Sequence, residues 1–179
     1  CIMQVHEYYD WNNLITEHSR ECMIRDIENT VKAGKFWHNS PPYQTNINIF
    51  GLNSDHWINL KMSFIWSCFA FMSKEAKIKS IKSWGYMTNL DTQEDRDTYW
   101  HQHLRDGSLV VSGVYYLSIP EGCDLSTSGT EFAPDGPDRP YISTTYHAEA
   151  RPGNWIIFPG KTWHRPGILS SKLLVLSIQ

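Results

Sequence analysis

Before residue 80, apolar side chains recur at intervals typical of helices. Ile24, Ile27 and Val31 are spaced by three and four positions, and residues 8–15 show a similar spacing. This pattern predicts helices within residues 1–40, which end before the proline pair at positions 41 and 42. A second helix is predicted over residues 57–79, and the alternation in residues 46–50 predicts a short strand.

From residue 84 onward the pattern changes to short apolar, aromatic and β-branched runs separated by turns rich in Gly, Pro, Asp and Ser. Such punctuation is typical of an all-β sandwich or barrel. The predicted strands cover residues 84–89, 109–119, 130–132, 141–148, 154–158 and 173–178.

The composition fits one globular domain with its own core, because the chain has 179 residues of which 41% are hydrophobic. A formal net charge of -3 with scattered Lys and Arg argues against a nucleic-acid surface. The apolar run at 64–72 is too short to span a membrane, and no basic leader followed by an apolar stretch is visible from Cys1 onward. The four cysteines lack metal or redox spacing, which favours a reduced, cytoplasmic setting.

Three of the eight histidines carry candidate chemistry. His101 and His103 are two positions apart, so in an extended strand their imidazoles lie on the same face. His164 follows from a distant segment, and two ligands from one strand with a third from another would form an open metal site. Spacing alone leaves open the alternative that the pair lies in a solvated loop.

The motifs around these histidines resemble those of the iron(II)- and 2-oxoglutarate-dependent oxygenases. The resemblance covers residues 78–179 and is closest to a bacterial and phage subgroup with an HxH motif before an SGVYY strand. It rests on the order of five segments, namely HQH at 101–103, SGVYYLSIP at 112–120, GTEF at 129–132, PGNWIIFP at 152–159 and WH at 163–164.

The resemblance implies a mainly β (α+β) fold, a double-stranded β-helix or cupin-like jelly roll. Helices from the N-terminal part would pack on one sheet. We therefore expect a single oxygenase domain over residues 1–179, with a mainly helical part at 1–77 and the β-helix core at 78–179.

The family pattern also implies the metal ligands, which are His, an acid two positions later and a distant His. Here His101 is the first ligand, His103 stands where the acid stands, and His164 is the distal ligand. Three neutral imidazoles would leave the ferrous centre at its full charge, which favours an anionic co-substrate. Asp106 is an alternative third ligand, although an Asp before Gly107 is also an ordinary turn residue.

The resemblance further implies a cation and a hydroxyl that hold the far carboxylate of 2-oxoglutarate. Lys172 with Tyr116 fits these roles, with Tyr86 as second choice, and Tyr115 should face the opposite side of the sheet. A gapless match instead puts Leu173 at the basic position, in which case Arg165 or Lys161 would have to serve. The remaining pocket candidates are Trp100, Trp163 and Arg165, although core packing is the simpler explanation for the two tryptophans.

The sequence therefore predicts a dioxygenase that uses Fe(II) and 2-oxoglutarate to hydroxylate an unidentified small-molecule or peptide substrate, with release of succinate and CO2. No nucleic-acid or membrane partner is expected. Two alternatives remain at this point: a three-His zinc lyase or hydrolase, and a non-catalytic cupin-like binding domain.

Overall fold

The computed structural model describes residues 5–9, 14–37, 43–73, 77–88, 100–105, 109–119, 121–122, 124–126, 128–137, 146–167 and 173–178. Two helices are present in this part of the chain, α1 (Glu17–Lys32) and α2 (Asp55–Met72). The Thr16 hydroxyl caps α1 by accepting a hydrogen bond from the Ser19 backbone N–H at 3.0 Å. Neither helix combines the length and apolar character needed to cross a bilayer.

Ten strands accompany the helices within the described ranges. In chain order they are β1 (His6–Tyr9), β2 (Phe36–Trp37), β3 (Tyr43–Thr45), β4 (Ser83–Thr88), β5 (Val111–Ser118), β6 (Thr130–Ala133), β7 (Tyr146–Ala148), β8 (Asn154–Pro159), β9 (Trp163–Pro166) and β10 (Leu173–Ile178).

The strands form two antiparallel sheets. The large sheet has the order β1-β8-β5-β10-β4-β3-β2, and the small sheet has the order β7-β6-β9. From β4 onward the chain passes repeatedly between them, because β5, β8 and β10 belong to the large sheet while β6, β7 and β9 belong to the small one.

The large sheet is buried on both faces. On β5 and β8, odd-numbered residues such as Tyr115 and Trp155 pack against the helices. They belong to the same buried cluster as Met23 of α1 and Leu60 of α2. Even-numbered residues of the same strands pack against the small sheet in a second cluster, which contains Val114, Tyr116, Phe132, Ala148, Ala150, Ile156 and Phe158. The molecule therefore has three layers, which are the helices, the large sheet and the small sheet.

The mainly β prediction is confirmed, and so is the packing of helices on one sheet. Five of the six predicted strand runs correspond to β4, β5, β6, β8 and β10, and the sixth corresponds at its end to β7, since residues 141–145 lie outside the described residues. Tyr115 and Tyr116 lie on opposite faces, as predicted. Closure of the two sheets into a jelly roll, and the single-domain division, stay predictions.

Several predictions for the N-terminal part are wrong. Residues 6–9 form a strand, because His6 to Tyr9 pair with β8 along its edge. Residues 46–50 are not a strand, since Ile49–Gly51 is a 3₁₀ turn and the strand lies just before it at β3. The second helix ends at Met72 instead of residue 79, where Ser73 adopts a left-handed conformation with φ of 54°.

Glycine allows α2 to approach the large sheet closely. A Cβ atom added at Gly113 would lie 2.7 Å from Cε2 of Phe64 on α2 and 3.0 Å from Cδ1 of Ile157. Phe64 and Ile157 are both buried in the core beneath the helices, so neither has space to move away.

We predict that Gly113→Ala lowers the free energy of unfolding by about 1–3 kcal/mol, because the new methyl group overpacks the layer between α2 and β5. Urea denaturation monitored by tryptophan fluorescence measures this change. Gly51→Ala is the matched control, since no atom lies within 4 Å of a Cβ atom built there. Equal stability of the two variants would contradict the packing described here.

Candidate metal centre

Three imidazoles from two distant segments meet at the edge of the small sheet. The structure brings together His101, His103 and His164, each with one ring nitrogen, and these atoms all lie within 4.8 Å of one another. Nε2 of His103 and Nε2 of His164 are 3.1 Å apart. Within the described residues this is the one group of metal-ligating side chains.

His164 is held rigidly by its strand and its neighbours. It lies on β9, is 5% exposed, and packs between Phe158 and Phe132 with ring centroids 4.7 and 6.3 Å away. Its Nδ1–H donates a hydrogen bond to the Thr162 carbonyl at 2.8 Å. This bond fixes the tautomer, so the lone pair of Nε2 is directed at the other two imidazoles.

His101 and His103 are positioned by backbone hydrogen bonds to the segment that carries His164. The His101 N–H donates to the His164 carbonyl and the His164 N–H donates to the His101 carbonyl, both at 3.1 Å. The His103 N–H donates to the Gly160 carbonyl at 2.7 Å. This antiparallel bridge extends the small sheet beyond β9 by one short extended segment.

Burial keeps the imidazoles of His103 and His164 neutral. Desolvation lowers the pKa of His164 to about 3 and that of His103 to about 4, and the nearby His101 acts in the same direction on both. Neutral imidazole is the form that coordinates a metal ion.

The donor set fits a small divalent transition metal. Metal–nitrogen bonds of about 2.1 Å place neighbouring ligand atoms about 3.0–3.4 Å apart, depending on geometry, and the His103–His164 distance falls in that range. The cluster supplies three donors, so further coordination positions on a bound ion would remain free for other ligands. Imidazole nitrogens suit iron, zinc and copper better than magnesium or calcium.

The opposite face of the small sheet carries a second row of side chains. Arg165 pairs with Glu131 through Nε and Oε2 at 2.6 Å, and its guanidinium carbon lies 4.4 Å from the centre of the Trp100 ring. Because side chains alternate along a strand, Trp100, Trp163 and Arg165 lie on the face opposite to His164. The structure therefore does not place these three predicted pocket residues beside the imidazoles.

The two predicted co-substrate tyrosines lie on the inner face of the large sheet. Tyr116 is buried, and its hydroxyl is 2.6 Å from the Thr130 hydroxyl. Tyr86 packs against the same inner cluster, and both tyrosines are in register with Val175 of β10. Burial raises the pKa of Tyr116 above its ordinary value, so its hydroxyl remains protonated.

Two predicted residues cannot be placed, since Asp106 and Lys172 lie outside the described residues. Lys161 is exposed, and its carbonyl accepts a hydrogen bond from Gln102 Nε2 at 2.5 Å. Arg165 is already paired with Glu131, which argues against its use as the co-substrate cation.

Sequence reasoning missed the true neighbours of the imidazoles. Trp84 of β4 has its ring centre 6.1 Å from that of His103, while Phe132 and Phe158 flank His164. Alternation along β8 could have indicated Phe158, because it shares a face with Ile156. No local signal marks Trp84, since its proximity to His103 arises from the packing of distant segments.

The fold is similar to those of several solved enzymes. A non-heme alpha ketoglutarate dependent carbocyclase, SnoK from nogalamycin biosynthesis, matches with a TM-score of 0.69 at 9% identity, over 98% of this chain and 79% of that chain. A Pseudomonas putida prolyl-4-hydroxylase matches with a TM-score of 0.62 at 10% identity, over 98% and 91% of the two chains.

A third similar structure is the epimerase SnoN in complex with Fe3+, alpha ketoglutarate and nogalamycin RO, with a TM-score of 0.61 at 10% identity, over 99% and 79% of the two chains. No protein-family model and no curated protein matches this chain. The structural likeness shows that the chain has the fold of the 2-oxoglutarate-dependent oxygenases. The resemblance seen in the sequence is thereby confirmed at the level of the fold.

We predict that Co2+, used as an air-stable probe of the site, binds the purified protein and raises its melting temperature. His164→Ala should weaken binding by about 100-fold or more, because it removes one of three ligands. Isothermal titration calorimetry and the visible spectrum of Co2+ measure this. His56→Ala is the control, since His56 lies on α2 outside the cluster. Equal loss in both variants would contradict the assignment.

We also predict that the metal-free protein loses stability as the pH falls below about 6.5. The unfolded chain takes up protons on His103 and His164 near their ordinary pKa, whereas the folded chain does so only near pH 4 and pH 3. The contribution of these two histidines to the free energy of unfolding should thus be nearly constant above pH 7 and fall toward pH 4, by about 2 kcal/mol per histidine at pH 5.

Urea denaturation at pH 7 and pH 5 measures that slope. His164→Gln should make the slope shallower, while His18→Gln, whose imidazole is exposed on α1, should leave it unchanged. A slope that is the same in the wild type and His164→Gln would contradict the burial of a neutral imidazole.

Proposed function

We propose that this chain is a non-haem iron(II)- and 2-oxoglutarate-dependent dioxygenase that hydroxylates a small-molecule or peptide substrate. The observation that carries this proposal is the convergence of His101, His103 and His164, in a fold shared with enzymes of that cofactor class. An open coordination site of neutral imidazoles leaves room for a chelating keto acid and a further ligand.

The three imidazoles are proposed as the protein's metal ligands. With iron and 2-oxoglutarate bound, the site would supply oxidation of a substrate by O2, with release of succinate and CO2. The chain's own task is to hold the ligands in place, since the cofactor supplies the reactivity. The Thr162 carbonyl orients His164, and the backbone bridge between His101 and His164 sets the position of the second segment.

The charge of the site favours an anionic co-substrate. Three neutral imidazoles leave the charge of a divalent ion uncompensated, so a keto acid would neutralise it. We propose that Tyr116 donates a hydrogen bond to the far carboxylate, with Lys172 as the cation and Tyr86 as the second hydroxyl. Thr130, which contacts the Tyr116 hydroxyl at 2.6 Å, would orient that donor.

Apolar side chains would limit the access of water to the site. Phe132, Ile156 and Phe158 are each at most 1% exposed and form the inner wall behind His164. A dry wall of this kind strengthens electrostatic interactions at the metal and protects a reactive centre from side reactions.

A zinc lyase or hydrolase is the second candidate, and a specific observation favours it. The cluster formed by the described residues contains three imidazoles and no carboxylate, which is the ligand set of zinc sites that activate water. Metal analysis of the protein as purified, together with the assay below, separates the two proposals.

We predict that the protein loaded anaerobically with Fe(II) converts 2-oxoglutarate to succinate when O2 is admitted, even without substrate at a slow uncoupled rate. Removal of a ligand in His101→Ala or His164→Ala should lower succinate formation to the level of free iron, because the ion is no longer held. Succinate is measured by liquid chromatography and mass spectrometry.

His103→Asp is the informative companion variant. A carboxylate at this position matches the family pattern and adds a negative charge, so iron affinity should rise by about tenfold and succinate formation should persist. His56→Ala serves again as the control that retains activity. Tightly held zinc without succinate formation would support the second candidate, and an empty site without turnover would leave a cupin-like binding domain.

A further inference from the structure

A groove lies on the helix side of the molecule, next to the segment that carries His103. It has a volume of about 760 Å3 and lies between the C-terminal half of α2, residues 77–82, and residues 102–105 and 109–111. This volume is within the range of sites that bind small molecules.

The floor of the groove is apolar. It is formed by residues of α2 that follow one another at helical spacing, namely Phe64, Ile65, Cys68, Phe69 and Met72. Burial among these side chains raises the pKa of the Cys68 thiol to about 12, as expected for a weakly polar environment. Phe and Met side chains provide a large and adaptable contact surface for an apolar ligand.

The rim of the groove is positively charged. Lys77, Lys79, Lys82 and Arg105 line it, all four are exposed, and no acidic residue is among the described lining residues. This contrasts with the net charge of the whole chain, which is -3. Arg105 is partly oriented by the bond that its Nη1 donates to the Ser80 hydroxyl at 2.7 Å.

Apolar side chains are also exposed around the opening. Ile78, Leu104 and Leu109 are 43%, 71% and 73% exposed, and all three line the groove. Exposed apolar side chains that border a single groove are typical of a binding site.

We infer that this groove binds an amphipathic anion, a molecule with an extended hydrocarbon part and a carboxylate or phosphate head group. The hydrocarbon would lie along the floor formed by α2, and the head group would lie among the lysines of the rim. The concave shape and small volume fit a small molecule, and the charge complementarity specifies its head group.

The location gives the ligand a role in the proposed reaction. His103, a proposed metal ligand, is among the residues that line the groove, so a bound molecule would lie beside the segment that carries this ligand. The assignment of the ligand as the substrate to be hydroxylated rests on the proposed function. Binding itself does not, because none of the groove contacts involves a metal ion.

The test uses the metal-free chain in isothermal titration calorimetry with dodecanoate and dodecyl phosphate, each below its critical micelle concentration, and with dodecanol below its solubility limit. We expect saturable one-to-one binding of at least one of the two anions, and binding of dodecanol weaker by about tenfold, since the alcohol lacks the charge. The preferred anion identifies the head group. Raising the salt concentration should weaken anion binding, because the rim charges are exposed.

Matched variants locate the site. Lys79→Glu combined with Lys82→Glu should weaken anion binding by about tenfold or more, whereas Lys61→Glu, on α2 but outside the groove, should not. Ile78→Asp should likewise weaken binding, while Ile58→Asp, on α2 away from the groove, should not, although Ile58 is 51% exposed and Ile78 is 43% exposed. Melting temperatures equal to that of the wild type show that each variant is folded.

The inference is overturned if neither anion binds saturably, if dodecanol binds as tightly as the anions, or if the groove variants and their controls bind equally. Its failure is distinct from failure of the proposed function. Anion binding without succinate formation would support the groove as a binding site and contradict the proposed oxygenase activity. Succinate formation without anion binding would support the oxygenase activity and contradict the groove as a binding site. Stimulation of succinate formation by the bound anion would support both.

Discussion

The site depends on one interaction, the pair of backbone hydrogen bonds that joins His101 to His164. These two bonds bridge segments more than 60 positions apart and set the spacing at which three side chains meet. Each bond by itself contributes only about 1 kcal/mol, so the bridge is stable only because β9 is already anchored to β6. The candidate metal centre therefore depends on the small sheet, because the pairing of β9 with β6 holds His164 in place.

Alternation of side chains across the sheets sorts the remaining residues by function. Along the small sheet the inner row runs from Phe132 through His164 to His101, and the outer row runs from Glu131 through Arg165 to Trp100. The inner row forms the site, while the outer row consists of an ion pair and a cation–π contact that hold the same three segments together from outside. A shift of one residue in this pairing would exchange the two rows and remove the site.

Burial of the His103 and His164 imidazoles disfavours their protonated forms. Desolvation disfavours the charged form of His103 and His164, and their proximity to His101 adds repulsion between rings that would otherwise be protonated. A divalent ion at this site would relieve the repulsion, because it would bind the ring nitrogen lone pairs. On the helix side of the molecule, α2 forms the apolar floor of a groove whose rim carries exposed lysines. Packing of the core does not require this combination of apolar and charged side chains.

Much of the β part of the fold was predictable from the sequence, because runs of apolar and β-branched residues bounded by Gly and Pro indicate strands that are buried on both faces. Strands β1, β2 and β3 escaped prediction, since they owe their conformation to a partner strand. For β9, a strand position was expected for His164 but the bounds of the strand were not predicted. Residue types and spacing likewise determined the candidate ligands, as imidazoles two positions apart share a face whenever the backbone is extended. Tertiary structure alone decided that Trp84, and not Trp100 or Trp163, adjoins these imidazoles. The register between distant strands determines which side chains meet, and local sequence does not encode that register.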